Sequence, residues 1–211
     1  MGTAFQLALA ARFLSRRPRR YNRRMSELFV VVQIGYWLAL ATWFGGVLFV
    51  AIAAPIIFKT VEDADPILPK VLSVNLEGQH STMLAGSIVA NLLTALTRLE
   101  LACGGVLLVT MAVQLARQWQ PWSMGISRAT LFLAAVILTI YNWRFVWPRI
   151  EKHRQGYIDN ADDPEVAQPA LEQFDRYHNE SVTIVKIMIG LLLGIIVLSY
   201  NISMARAWVS G

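Results

Sequence analysis

Apolar side chains along this chain occur in long runs that are separated by shorter polar segments. Residues 30–58 form the first run and include no formally charged side chain. At a helical rise of about 1.5 Å per residue, this run is longer than a hydrocarbon layer of roughly 30 Å. The core of a soluble protein does not require so long an apolar run. The pattern therefore predicts a first membrane-spanning helix.

Small side chains recur on this helix at spacings of three and four residues. They are Gly35, Ala39, Thr42, Gly46 and Ala53. A narrow stripe of small side chains lets the backbone of a neighbouring helix come close. The stripe is therefore the predicted packing face of the first span.

Basic residues predict the orientation and the limits of the other spans. Seven of the 19 Lys and Arg residues precede Met25, in a segment without any acid. Clustered basic residues beside a span hold that end in the cytoplasm. With Arg117, Arg128 and Arg206 as cytoplasmic markers and about 20 residues per crossing, the further spans are predicted at residues 97–116, 129–148 and 182–205. Both termini are then cytoplasmic, and residues 59–96 and 149–181 lie outside.

Residues 1–27 are interpreted as a basic cytoplasmic arm that precedes a membrane domain of residues 28–211. The apolar stretch at residues 5–11 is too short to cross a bilayer. The arm either lies on anionic lipid, acts as a targeting segment, or reflects an over-long start with Met25 as the true initiator.

Residues 82–96 show an amphipathic pattern. Leu84, Ile88, Leu92 and Leu96 fall on one helical face. This helix either rests in the outer interface or extends the second span. The predicted fold is an all-α integral membrane protein, a four-transmembrane-helix bundle with an amphipathic outer helix before the second span.

Composition agrees with a membrane protein and excludes several other classes. The 211 residues are 55% hydrophobic and 16% charged, with a formal charge of +5 that comes from the basic arm. The excess charge therefore predicts orientation in the membrane and not nucleic-acid binding. The single cysteine, Cys103, excludes an intrachain disulfide. The sequence contains no hydrolase, phosphate-loop or dinucleotide motif, so neither an enzyme nor a cofactor is predicted.

Several short segments resemble a known family. These are ATWFGGVLF at residues 41–49, AAP at 53–55, WPRI at 147–150 and FDRYHNES at 174–181. Together they resemble the small four-span family typified by transmembrane protein 205, whose bacterial members carry a domain of unknown function. The resemblance covers residues 25–205. It implies a fold and a membrane location, and the family has no settled activity to transfer.

Charged side chains at similar depth define the candidate site. Glu100, Arg144 and Lys186 all fall near the outer ends of their predicted spans. A charge at membrane depth costs a few kcal/mol or more unless it is paired or hydrated. Glu100 is therefore predicted to pair with Lys186 or Arg144. The expected hydrogen-bonding neighbours are Tyr141 and Asn142. Structural support without any ligand is the alternative for this layer.

Glycine spacing predicts which sides of these helices face protein. Glu100 shares a face with Gly104, while Lys186, Gly190 and Gly194 follow one another at four-residue spacing. Both faces are expected to lie inside the bundle. The helix-packing candidates are Gly45, Gly46, Gly104, Gly190 and Gly194.

All histidines fall on the predicted outer side. A metal site built from His80, His153 and His178 with Glu77 or Glu180 is conceivable, because imidazole binds zinc and copper. No ligand-spacing motif is present, so no metal is predicted. His178 and Ser181 are candidates at the outer face, where capping of the fourth helix and interfacial hydrogen bonds are the expected roles.

Three functions remain open from the sequence, one of which is a membrane protein that binds a metal or haem. The first is a structural or accessory bundle in the bacterial inner membrane that forms homo-oligomers or joins a larger membrane complex. Its partners would be the lipid bilayer and other membrane proteins. The alternative is a transporter component that uses the charged layer for a small ion, solute or metal. Four spans form only a thin wall for a pore within one chain, so transport would favour an oligomer.

Overall fold

The computed structural model describes residues 19–64, 66, 80–160 and 162–210, and only the backbone of residues 19–24 and 201–210. Most of the predicted basic arm, residues 1–27, therefore lies outside the described residues. The same holds for Glu77, a candidate metal ligand. The arm and its boundary stay predictions.

The described chain is helical almost throughout. Its α-helices are α1 (Arg19–Asp63), α2 (His80–Ala116), α3 (Trp122–Tyr141), α4 (Trp147–Asp159) and α5 (Pro164–Ser210). A π-helical segment, Asn142–Val146, joins α3 directly to α4. The two helices therefore form one continuous rod.

Four helical rods are long and apolar enough to cross a membrane. Their described lengths lie between 37 and 39 residues. At about 1.5 Å per residue each rod measures roughly 55 Å, which exceeds the hydrocarbon thickness. The predicted all-α, four-span membrane bundle is confirmed, and each rod continues beyond the span predicted for it.

The amphipathic segment before the second span is part of α2. Residues 82–96 continue without a break into the rest of that helix. The structure thus shows the second of the two alternatives, an extension of the span. The buried positions here are Ala85, Val89 and Leu96, so the inward face is turned by about one residue from the predicted line of Leu84 and Ile88.

Neighbouring helices run in opposite directions and define two ends of the bundle. At the short-loop end, residues 117–121 connect α2 to α3. At the hairpin end, α4 packs along the first part of α5, and residues 160–163 connect them. The segment between α4 and α5 is short, because Pro169 already lies inside α5. Pro164 is the first residue of α5, a position that suits proline because an N–H there would have no intrahelical partner.

Large side chains from one face of α1 fill the centre of the bundle. Tyr36, Leu40, Trp43, Val47 and Val50 are buried and recur at three- and four-residue spacing. Most of this face packs against α2, and the two helices form the most extensive contact in the structure. The α1–α2 seam is therefore the base on which the other helices pack.

The predicted stripe of small residues borders this seam. A Cβ added at Gly35 would lie 3.7 Å from the Thr110 methyl group, and one at Gly46 would lie 2.9 Å from Leu96 Cδ1. Ala39 is also buried, whereas Thr42 faces outward. The stripe thus faces α2 at Gly35 and Gly46.

The other packing glycines divide into two groups. Gly104 lies under the Trp43 ring, and a Cβ added at Gly104 would lie 3.6 Å from that ring. A Cβ added at Gly194 would lie 3.0 Å from Leu131 Cδ1. Gly45 and Gly190 face outward, and an added Cβ would meet nothing within 4 Å in the described chain. Among the described residues these two glycines make no packing contact, because the buried side chains of α1 and α5 lie on other faces of those helices.

Adjacent glycines on α1 give a direct test of the seam. Gly46→Leu should lower the free energy of unfolding by about 1–3 kcal/mol, because the new side chain must displace Leu96 from a packed contact. Gly45→Leu adds a side chain where the described structure is open and should leave stability nearly unchanged. Unfolding in mixed detergent micelles measures both variants. Equal losses would contradict the proposed register of α1 and α2.

Candidate functional site

A cavity of about 220 Å³ opens between α2, the π-helical segment and α5, towards the hairpin end. It contains the deepest charged group of the predicted outer layer. The lining residues are Leu93, Thr94, Leu96, Thr97, Arg98, Glu100, Leu101, Asn142, Trp143, Trp147 and Val185.

Glu100 is the buried acid of this cavity. Its side chain is only 9% exposed, because α2 turns this face towards α1. In the described part of the chain no Lys or Arg nitrogen lies within 4.0 Å of the carboxyl group. The Trp43 indole N–H is directed towards the carboxyl group but does not complete a hydrogen bond. Glu100 thus faces the cavity without a counter-ion from the described residues.

The predicted ion pair between Glu100 and Arg144 or Lys186 is wrong. Both basic side chains are exposed on the outside of the bundle. Residue spacing predicted their depth along the bundle axis correctly. Depth alone, however, does not determine the direction in which a side chain points. Arg144 lies two residues from Asn142, and Lys186 two residues from buried Ile184. A separation of two residues turns a side chain by about 200° around a helix.

Tyr141 forms a different contact from the one predicted. Its hydroxyl donates a hydrogen bond of 2.8 Å to Glu180 Oε1 on α5. The pair ties α3 to α5 on the outside of the bundle. Tyr141 is therefore a bridge between helices and does not line the cavity.

Asn142, which was predicted as a neighbour of Glu100, lines the same cavity. It begins the π-helical segment, and its Oδ1 is buried without a hydrogen-bond partner. Thr139 Oγ1, one turn earlier on the same face, is likewise buried without a partner. Among the described residues, one hydroxyl group on α3 and one amide oxygen on the π-helical segment are thus left unsatisfied near this level.

The π-helical segment was not predicted from the sequence. The signal available was Pro148, which follows the segment directly. Proline has no N–H for the carbonyl four residues earlier and its ring collides with that carbonyl. Widening the preceding turn relieves this conflict, and such π segments are frequent at functional sites.

Aromatic rings and one basic side chain complete the cavity. Trp143 and Trp147 provide ring surfaces, and Arg98 is an exposed residue that contributes to the lining. A carboxyl group, an amide oxygen and aromatic faces together favour a positively charged group, by ionic, hydrogen-bond and cation–π attraction. The side chain of Arg98, by contrast, suits the negative end of a dipolar molecule.

A second polar group lies at the short-loop end and was missed by the sequence analysis. Arg128 is only 3% exposed, and its guanidinium lies 4.5 Å from the centre of the Tyr36 ring. The Tyr36 hydroxyl in turn shares a 2.7 Å hydrogen bond with Ser199 on α5. Arg128 was used as a marker of the membrane surface. Its helical face, shared with Phe132 and Ala135, was the signal that it points inward.

The histidines do not converge. His153 stacks on Tyr177 with ring centres 5.6 Å apart, and His178 stacks on Phe174 at 5.7 Å. His80 is the first residue of α2. Within the described ranges, no three His, Cys, Asp or Glu side chains are grouped as metal ligands.

The capping role expected of His178 and Ser181 is wrong. The helix that contains them begins at Pro164, so both lie well inside it. Ser181 is buried on the inner face of α5, while His178 is exposed. Their place in any outer-face site stays a prediction.

The fold and the buried polar residues define a four-span, all-α membrane protein. The chain belongs to the family described as a domain of unknown function, DUF4149, whose model matches residues 38–157. The match runs from α1 through α4 and includes both Glu100 and Arg128. No curated protein and no solved structure matches the chain. The more specific likeness to the transmembrane protein 205 family stays a prediction.

Exchanging Glu100 tests whether its carboxyl group stabilises the bundle. Glu100→Gln should leave the free energy of unfolding unchanged or raise it by about 1 kcal/mol, because a buried acid without an ion pair is costly. Tyr141→Phe, which removes the bond to Glu180, should lower it by up to about 1 kcal/mol. Unfolding of both variants in detergent is the measurement. A loss of about 3 kcal/mol for Glu100→Gln would show that the acid is part of a structural ion pair.

Proposed function

We propose that this protein is the solute-binding component of a small membrane transport system, and that its ligand carries a protonated amine. The observation that supports this is the carboxyl group of Glu100, buried beside a cavity and without a cationic partner in the described chain. A membrane protein rarely keeps such a charge unless it serves a pathway or a ligand.

The size of the cavity restricts the ligand. A volume of about 220 Å³ is below the range of roughly 300–1,000 Å³ that is usual for drug-sized ligands. A methylated or short-chain amine fits this space. Its ammonium group would lie between Glu100 and Asn142 Oδ1, with its carbon atoms against Trp143 and Trp147.

Arg98 would determine how a dipolar ligand is oriented in the cavity. The guanidinium cannot neutralise Glu100, because two residues of separation put the side chains on different faces of α2. A dipolar solute would place its negative end towards Arg98 and its ammonium group towards Glu100. A simple amine would use only the inner part of the cavity.

Binding of methylammonium to the purified full chain tests this proposal. Titration calorimetry should show saturable binding to the wild type that weakens at least about tenfold in Glu100→Gln. Lys186→Gln is the matched control, because it removes a charge at a similar level from the outside of the bundle and should leave the affinity unchanged. Unaltered binding by Glu100→Gln, or no binding by the wild type, would refute the proposal.

Flux into liposomes separates binding from transport. Reconstituted wild type should accelerate entry of labelled methylammonium, and Glu100→Gln should abolish the acceleration. Binding without flux would mean that the chain delivers its ligand to another membrane protein.

Self-association is the second candidate function and includes an accessory role in a larger complex. The observation in its favour is that Gly45, Gly105 and Gly190 present open faces where an added Cβ would meet nothing within 4 Å in the described chain. In a bilayer, small residues on an outer face permit close contact with another helix.

Two glycines on α5 separate self-association from folding. Gly190→Leu should leave the stability of the single chain unchanged but shift an oligomer to the monomer in native mass spectrometry from lipid nanodiscs. Gly194→Leu should instead lower stability by about 1–3 kcal/mol, because Leu131 occupies the space beside it. A monomeric wild type, or a Gly190→Leu variant with unchanged oligomeric mass, would count against this function.

A further inference from the structure

The short-loop end holds the most completely buried cation among the described side chains. Arg128 is 3% exposed, although guanidinium groups are rarely buried unless they are paired. In the described residues no carboxyl oxygen lies within 4.0 Å of it. Within the described part of the chain, the face of the Tyr36 ring, 4.5 Å from the guanidinium carbon, is the group that offsets its charge.

The hydrogen bonds of Arg128 leave one particular edge unoccupied. Nη1 donates to Gln120 Oε1 in the loop between α2 and α3. Nε and Nη2 are buried and have no hydrogen-bond partner among the described residues. These two nitrogens form the side edge of the guanidinium, whose parallel N–H groups match two oxygens of one carboxylate or phosphate.

A second unsatisfied donor is buried at the same end. Gln114 is 4% exposed, and its Nε2 has no hydrogen-bond partner in the described structure. The unsatisfied groups of the described side chains at this end, Arg128 Nε and Nη2 and Gln114 Nε2, are all donors. Donors without acceptors favour an anion more than they favour a cation or an apolar ligand.

The loop beside Arg128 is built to hold its side chain in position. Gln118 adopts a positive φ of 52°, and Trp119 N–H donates to the Gln114 carbonyl oxygen. Gly125 makes room for Gln120, because an added Cβ would lie 3.1 Å from Gln120 Nε2. Gln120 can thus accept the hydrogen bond from Arg128 Nη1, which leaves the Nε–Nη2 edge directed away from the loop.

We infer that Arg128 forms an oxyanion site at the short-loop end, in which its Nε–Nη2 edge binds two oxygens of a phosphate group. The phosphate comes either from an anionic lipid headgroup or from free phosphate in solution, since both present the same oxygens. Gln120 already occupies the remaining nitrogen as a neutral acceptor, and Gln114 supplies a further donor. This site is separate from the Glu100 cavity and does not depend on the proposed amine ligand.

Native mass spectrometry of the full chain in maltoside detergent tests the inference and identifies the source. Wild type should retain a phosphate-containing adduct, either an anionic lipid or added inorganic phosphate. Added phosphate or phosphatidylglycerol should also raise the thermal midpoint above that in chloride of the same ionic strength. Arg128→Lys keeps the charge but lacks the two-nitrogen edge, and should bind at least about tenfold more weakly. Arg117→Gln removes an exposed basic residue at the same end and is the matched control.

A further variant keeps the test valid where Arg128→Lys does not fold. Gln120→Glu places a carboxylate next to Nη1 and supplies an internal anion, so it should raise the thermal midpoint and reduce the response to phosphate. A wild type without an adduct or a thermal response overturns the inference. So does an equal response in wild type, Arg128→Lys and Gln120→Glu, or a response lost equally in Arg117→Gln.

Discussion

The contact between Trp43 and Gly104 is the interaction on which the site depends. Lipid tails are as apolar as leucine, so burial of apolar surface does not favour helix association in a bilayer, and close packing must do so. The absence of a side chain at Gly104 lets the Trp43 ring lie on the backbone of α2, and Phe132 meets the same ring edge-on at 6.3 Å. Glu100 is one turn from Gly104 on the same face. The packing that holds α1 and α2 together therefore also carries this acid into the bundle.

The level of each polar residue in the membrane could be derived from the sequence, because helical rise is nearly constant. Glu100 and Asn142, predicted as neighbours, do line one cavity. The side to which a residue points could not be derived in the same way, since it depends on which face the other helices cover. On α5 the inner face consists of Ile184, Met188, Leu192 and Ile195. The regular glycine spacing beside Lys186 favoured a different face, and that choice misplaced the lysine.

The burial of Arg128 and the π-helical segment, which were not predicted from the sequence, have the same physical origin. Arg128 was assigned to the membrane surface because a charged residue ordinarily lies there, yet its face is shared with buried Phe132. The π-helical turn at Asn142 depends on Pro148 and on the packing of Val146 against Ile150 and Ile184. Both features arise where tertiary contacts outweigh the local preference of a residue. Periodicity and charge reveal such positions only after the buried face is known.

The bundle thus buries an acid and a base at opposite ends, and the two cannot serve as each other's counter-ion. Glu100 and Gln114 are fourteen positions apart on α2, a separation of roughly 21 Å. Arg128 and Asn142 are equally far apart on the antiparallel rod that α3 and the π-helical segment form. Trp43, Leu107, Phe132 and Leu192 fill the space between these levels. At that distance the attraction of two unit charges is less than about 1 kcal/mol at an effective dielectric constant of about 20. Each charge therefore needs a partner at its own end. The described chain supplies neither, and the amine and the phosphate proposed above would fill these two places.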